Sequence, residues 1–236
     1  MTVGVLLAHG WCFGHAMWKS LEPLLHTDIC ITPDFGYFCE PNLPSRAQPR
    51  ALIGIGHSFG SLWLLKQRQY RFDGLVLISA VPNFCRKYGR DLVISEQDLI
   101  SARTLISRSP QTYLRWFYKK CGLPISGRSI SPGCINEGAI LRDLEYLSKW
   151  TIESELENIR VPIRVLGANN DHIVTPTLLS DSFKGYSTVS VEIENHGGHI
   201  LPILNPEKCA ETINDLIRVI TVTQVDYKHA KKSSLE

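Results

Sequence analysis

Gly56-His57-Ser58-Phe59-Gly60 sets one serine between two glycines, each two residues away. The apolar run ALIGI precedes it and the helical pattern SLWLLKQRQ follows. A serine on a sharp strand-to-helix turn is presented as a nucleophile toward an acyl carbon, and the helix N-terminus beneath it favours a developing anion. Glycines are expected at both flanks because a Cβ there would collide with the neighbouring strand or helix. A serine hydroxyl needs a base, and the base needs an orienting acid. With this turn the chain order is serine, acid, histidine. Asp171, in the loop GANND after an apolar segment, suits the acid, with a helix N-cap as its other reading. Asp181 falls inside the next helical pattern and suits the acid less well.

His196 and His199 both follow the next apolar segment, in IENHGGHILP, and order alone leaves both open as the base. A metal at this pair would need a third ligand. His172 is the one outsider and no HExxH occurs, so no metal is expected. His9-Gly10-Trp11 follows the first apolar segment. The backbone N–H groups of Trp11 and Phe59 are the expected oxyanion donors, a pair that lowers such barriers by several kcal/mol.

These side chains need a scaffold, and the apolar patterning predicts one. Val3–Ala8, Ile29–Thr32, Ala51–Ile55, Leu75–Ser79, Ile163–Leu166 and Val189–Ile193 read as strands. Several are continuously apolar, as strands buried on both faces of a parallel sheet should be. Ala16–Leu25, Ser58–Gln69, Pro176–Phe183 and Pro206–Val219 read as helices between them. In the last, Cys209, Ile213, Leu216, Ile217 and Ile220 fall on one helical face. This alternation predicts an α/β fold with a mostly parallel central sheet flanked by helices. The gap between Val81 and Ile159 predicts a mostly helical insertion, with helices over Glu96–Ser107, Pro110–Lys120 and Glu137–Lys149 and a Gly/Ser/Pro-rich stretch over 122–133. The expected division is a core from 1–82 and 151–220, a helical cap from 83–150, and a polar tail from 221–236 whose final Leu-Glu reads as a cloning remnant. Cys39–Arg50, with three prolines, reads as a loop.

The bulk numbers exclude several classes. With 236 residues, 44% hydrophobic and 20% charged, the chain reads as an ordinary globular protein, not a disordered one. No apolar run approaches the roughly 20 residues of a membrane span. MTVGVLLAHG reads as a first strand, not a signal peptide. Seven cysteines without a CxxC read as free thiols of a reducing cytoplasm, not a zinc site. Net charge is only +2, but residues 84–132 hold nine basic residues against three acids, with no acid after Asp98. Aromatic residues interleave there (Tyr113, Trp116, Phe117, Tyr118). Their helical spacing favours packing over a pocket above nucleic-acid stacking.

The HGW turn, the serine elbow, the acid and histidine loops and the helical insertion together resemble the α/β-hydrolase superfamily. Within it the chain is most similar to the BioH-type pimeloyl-acyl-carrier-protein methyl ester esterases. The likeness rests on HGWCFGHAMW, on LEYLSKWTIESELENIRVPIRVLG, on DHIVTP, and on a proline seven residues after His199. The resemblance implies that His199 is the base, since it is followed by HILPILNP, and that His196 is a loop or supporting residue. It further implies a monomeric serine esterase without cofactor. Its cap would use basic residues such as Arg103, Arg108, Arg115, Lys119 and Lys120 to dock an acidic acyl carrier protein. The implied reaction is demethylation of pimeloyl-acyl-carrier-protein methyl ester for biotin synthesis. A general short-chain carboxylesterase or thioesterase is the alternative, and a hydrolase-fold binding protein without catalysis a third. Three departures stand out: Cys12 where the family has glycine after HGW, the Pro-rich stretch 39–50 in place of a helix, and Asp171 one residue further from Gly167 than usual.

Overall fold

The computed structural model describes residues 3–44, 49–123 and 134–233, with side chains described as far as 223. Arg128, most of the Gly/Ser/Pro-rich stretch, positions 45–48 of the Pro-rich loop and the final Leu-Glu lie outside the described residues.

Six strands form one sheet: β1 Gly4–Ala8, β2 Cys30–Ile31, β3 Leu52–His57, β4 Gly74–Ile78, β5 Ile163–Ala168 and β6 Val189–Glu194. Their order is β2-β1-β3-β4-β5-β6 and every neighbouring pair is parallel. β1, β3 and β4 are buried along their whole length, which is why they read as unbroken apolar runs. Alternation sorts their side chains by face. Val5, Leu7, Ile53, Ile55, Val76 and Ile78 point to one layer, and Leu6, Ala8, Leu52, Leu75 and Leu77 to the other.

Eight α-helices are described. α1 is Phe59–Lys66, α2 Glu96–Arg108, α3 Pro110–Cys121 and α4 Glu137–Lys149. α5 is Glu153–Asn158, α6 Pro176–Ser182, α7 Leu201–Leu204 and α8 Pro206–Ser233. The predicted stripe of α8, Cys209 to Ile220, is buried against the first layer, while α1 packs Leu62 and Leu64 into the second. α2, α3 and α4 lie between β4 and β5 and add Ile106, Leu114 and Leu144 to that second layer. Ser95 caps α2 through a reciprocal box with Asp98, Asn136 caps α4, and Gly122 (φ 96) ends α3.

Two expectations are corrected. Ala16–Leu25 is not one helix but two 3-10 turns, His15–Trp18 and Glu22–Leu24, because Pro23 supplies no N–H to a continuing helix. The last helix does not end at Val219: α8 runs on to Ser233. No glycine or proline interrupts it after Pro206, and its apolar face anchors the first half.

The chain leaves β1 for β2 on one side and crosses to β3 on the other. The order therefore reverses at β1, and the crevice outside the carboxyl ends of β1 and β3 is where open α/β sheets bind ligands. His9-Gly10-Trp11 and Ser58 sit at those two ends.

Candidate active site

The elbow is built by close packing. Ser58 takes φ 51 and ψ −119, a conformation rare for a residue with a Cβ. A Cβ on Gly60 would lie 2.1 Å from the Ala8 carbonyl oxygen, and one on Gly56 would lie 2.5 Å from Ser61 Cα. Only glycines let the serine turn press against β1 and α1 while Ser58 N–H donates to Ile78 O at 2.8 Å.

His199 Nε2 lies 3.1 Å from Ser58 Oγ, and His199 Nδ1 lies 2.9 Å from Asp171 Oδ2. Asp171, His199 and Ser58 are 2%, 1% and 7% exposed. Asp171 Oδ1 accepts the N–H groups of Ile173 (2.8 Å) and Val174 (2.9 Å). Burial pushes the Asp171 carboxyl up, but His199 and these two amides outweigh it and hold the group below the usual carboxylate range. An anionic Asp171 only accepts, so His199 carries its proton on Nδ1 and turns a lone pair toward the Ser58 hydroxyl. Asp171 is not a helix cap, because Thr175 caps α6. His196, His172 and Asp181 are exposed.

The loops are held by residues that the sequence reading had not singled out. Asn170 Oδ1 accepts the N–H of Gly198 at 2.9 Å and pins the histidine loop. His57 Nε2–H donates to the His199 carbonyl at 2.7 Å, across 142 residues. Burial, then the neighbouring His199, pushes His57 down to about 3, so it stays neutral. A Cβ on Gly10 would lie 2.4 Å from His57 Nδ1, so the HGW glycine makes room for the elbow histidine. His9 is equally buried and is pushed down to about 4 by that burial. Its Nε2 accepts Phe35 N–H at 3.1 Å, which ties the HGW turn to the segment after β2.

The N–H groups of Trp11 and Phe59 donate to no acceptor among the described residues. Both residues are buried, Phe59 directly after Ser58 and Trp11 in the turn after β1, where it lines the same cavity as Ser58. A serine–histidine–carboxylate line beside two free buried N–H groups can carry out acyl transfer.

A family model for the alpha/beta hydrolase family matches residues 5–212. The chain belongs to the alpha/beta hydrolase family. No curated protein matches the sequence. Among solved structures, an esterase from Exiguobacterium antarcticum is similar with a TM-score of 0.76 at 14% identity, covering 92% of this chain and 93% of its own. A bromoperoxidase from Bacillus anthracis gives 0.77 at 16% identity, covering 92% of each chain. A thermophilic esterase from Thermogutta terrifontis gives 0.71 at 16% identity, covering 92% of this chain and 90% of its own. At such identities the likeness shows a shared fold.

In this alpha/beta hydrolase a cavity of about 260 Å³ opens onto Ser58 and His199. Its walls are apolar, with Phe84, Leu99, Leu105, Tyr113, Phe117 and Leu144 drawn mainly from α2, α3 and α4. Exposed Trp116 and Lys120 also line it, the Lys120 Nζ 5.5 Å from the Trp116 ring. Arg103, Arg108, Arg115 and Lys119 are exposed on α2 and α3 but do not reach the cavity. Tyr118 departs from the expected packing over the pocket: its hydroxyl reaches the Cys12 carbonyl instead. Cys12 is itself fully buried, and burial pushes its thiol well above the usual range. Gly167 is no turn glycine. It lies within β5 against Leu179, one residue before the strand ends, and the turn is closed by the Asp171 N–H donating to Ala168 O.

Among the described residues one set of metal-capable side chains lies together, His15, Asp34 and Cys39. Asp34 is already engaged there. It accepts the N–H groups of His15 and Gly36, each at 2.9 Å, and faces His15 Nδ1 at 2.7 Å. These bonds fasten the loop after β2 to the first 3-10 turn. No helix among the described residues is long and apolar enough to cross a membrane.

Proposed function

We propose that the protein is a serine hydrolase of carboxylic esters. The observation that carries this reading is the Ser58–His199–Asp171 line, with contacts of 3.1 and 2.9 Å, at an apolar cavity. Ser58 Oγ attacks the ester carbonyl while His199 Nε2 takes its proton. Asp171 holds the imidazolium that forms, and the N–H groups of Trp11 and Phe59 take the oxyanion. His199 then returns the proton to the departing alcohol oxygen. Water, deprotonated by the same nitrogen, cleaves the acyl-enzyme and restores Ser58. A binding-only protein has no use for a buried carboxylate aligned on a histidine aligned on a serine. A fluorophosphonate probe is expected to label the wild type and not Ser58→Ala; equal labelling of both refutes the assignment.

The finer reading is demethylation of pimeloyl-acyl-carrier-protein methyl ester. It is supported by the sequence resemblance and by the exposed bases Arg103, Arg108, Arg115, Lys119 and Lys120, which offer an acidic carrier a complementary surface. Lys120 joins that surface to the cavity lining. A general carboxylesterase is the second reading, favoured by a cavity whose lining is mostly apolar. Reversing Arg115 and Lys119, which do not reach the cavity, to glutamate separates the two. The carrier-bound methyl ester should lose at least about tenfold in kcat/KM while a small soluble ester changes little. Equal kinetics on both substrates before and after reversal sinks the carrier reading.

A further inference from the structure

The turn that presents Trp11 is strained. Phe13 N–H donates to Gly10 O at 3.1 Å and closes a β-turn over Gly10–Phe13. Cys12 is the third residue of that turn and takes φ 61. Glycine adopts such a conformation freely, whereas a residue with a Cβ resists it. Something outside the turn must therefore hold it. Two hydrogen bonds do so, each linking the turn to one of the helices between β4 and β5. Tyr118 O–H on α3 donates to the Cys12 carbonyl at 2.7 Å, and Trp11 Nε1–H donates to the Ile140 carbonyl on α4 at 2.9 Å. The Tyr118 ring is fixed beside Phe13 and Phe117, at centroid distances of 5.3 and 6.3 Å. Burial raises the Tyr118 hydroxyl far above its ordinary range, so it remains a donor.

We infer that Tyr118 is a positioning residue for the oxyanion site: by holding the Cys12 carbonyl it keeps the strained turn in the form that aims the Trp11 N–H at a carbonyl bound over Ser58. This rests on the serine-hydrolase reading above. On release, the Cys12 backbone relaxes toward negative φ, the whole Gly10–Phe13 turn shifts with it, and the Gly10–Trp11 peptide that carries the Trp11 N–H leaves its aim. α3 thus does more than roof the cavity, because its seating completes the site that stabilises the transition state.

The test is a cycle of Tyr118→Phe and Cys12→Gly, read with p-nitrophenyl butyrate, with folding followed by circular dichroism. Tyr118→Phe alone is expected to lower kcat about tenfold and to change KM less than about twofold, because the lost contact acts on the transition state. In the Cys12→Gly background glycine holds the turn unaided, so the same substitution should cost less than about threefold. Equal losses in the two backgrounds mean simple packing and overturn the inference, as does no loss in the wild type. Should Tyr118→Phe fail to fold, Cys12→Gly is expected to rescue it, and failure of that rescue also overturns the inference. Ser58→Ala is run in parallel. If it keeps turning over, the hydrolase reading falls and the inference with it. If it is inactive while Tyr118→Phe matches the wild type, only the positioning role falls.

Discussion

Asp171→Asn replaces one oxygen by an NH2 group of nearly the same shape and so asks how much turnover depends on the tautomer of His199. Two backbone donors, Ile173 N–H and Val174 N–H, converge on Asp171 Oδ1, and His199 Nδ1–H points at Oδ2. Asparagine has only one oxygen to offer. With its NH2 turned to the amides, two buried N–H groups lose their acceptor, at roughly 1–3 kcal/mol each. With its oxygen turned to the amides, the only adjustment is that His199 moves its proton from Nδ1 to Nε2. The second arrangement wins. His199 then presents an N–H to Ser58 and cannot take the serine proton. A wrong tautomer of this kind lowers kcat about 10⁴-fold in a Ser–His–Asp triad, which is about 5.5 kcal/mol of barrier. The assay is steady-state hydrolysis of p-nitrophenyl butyrate, with the melting temperature measured alongside. The fold should survive, since both amides keep an acceptor. A folded Asp171→Asn protein that keeps more than about a tenth of the wild-type kcat would refute the tautomer argument.

His199→Ala should abolish turnover, while His196→Ala, at an exposed position, should stay within about twofold of the wild type; kcat/KM on one ester decides, and the reverse pattern would mean that the other histidine is the base. Acid should destabilise the fold in a defined window. His57 and His9 are pushed down to about 3 and about 4 by burial, from an ordinary value of 6.5. The unfolded chain protonates first, so their contribution is complete above about pH 6.5 and is lost as pH falls toward the folded values, at about 1.4 kcal/mol per pH unit for each histidine. Urea unfolding between pH 6.5 and 4 should show this slope, and His57→Gln should remove one histidine's share; an unchanged slope in the variant would contradict the buried neutral histidine.

Much of the scaffold was legible in the sequence because its causes are local. A strand buried on both faces must be apolar throughout, so β1, β3 and β4 announced themselves as GVLLA, LIGIGH and GLVLI. The stripe on α8 is a consequence of helical periodicity. The two glycines of the elbow follow from distances of 2.1 and 2.5 Å that leave no space for a side chain. Where the reading failed, the local signal was weak. Apolar spacing over Ala16–Leu25 suits a helix, but Pro23 breaks the backbone pattern into two 3-10 turns. The tail lacks apolar character, yet nothing in it stops a helix that is already nucleated and anchored, so α8 continues.

By itself, then, the chain determined an α/β scaffold, a serine elbow, an acid loop, a histidine loop and an HGW turn, in that family's order. Chain order left His196 and His199 open and the family resemblance pointed to His199; the tertiary structure adds that His199 is buried beside Ser58, 141 residues away, while His196 is exposed. The tertiary structure alone joined His57 to the His199 carbonyl, fixed Asn170 on the histidine loop, and turned Tyr118 away from the cavity to the carbonyl of Cys12. Side-chain type and spacing are set by sterics and periodicity within a few residues, and these can be read along the chain. Which groups meet across 106 or 142 residues depends on how the sheet order brings distant strand ends together, and that is a property of the fold as a whole.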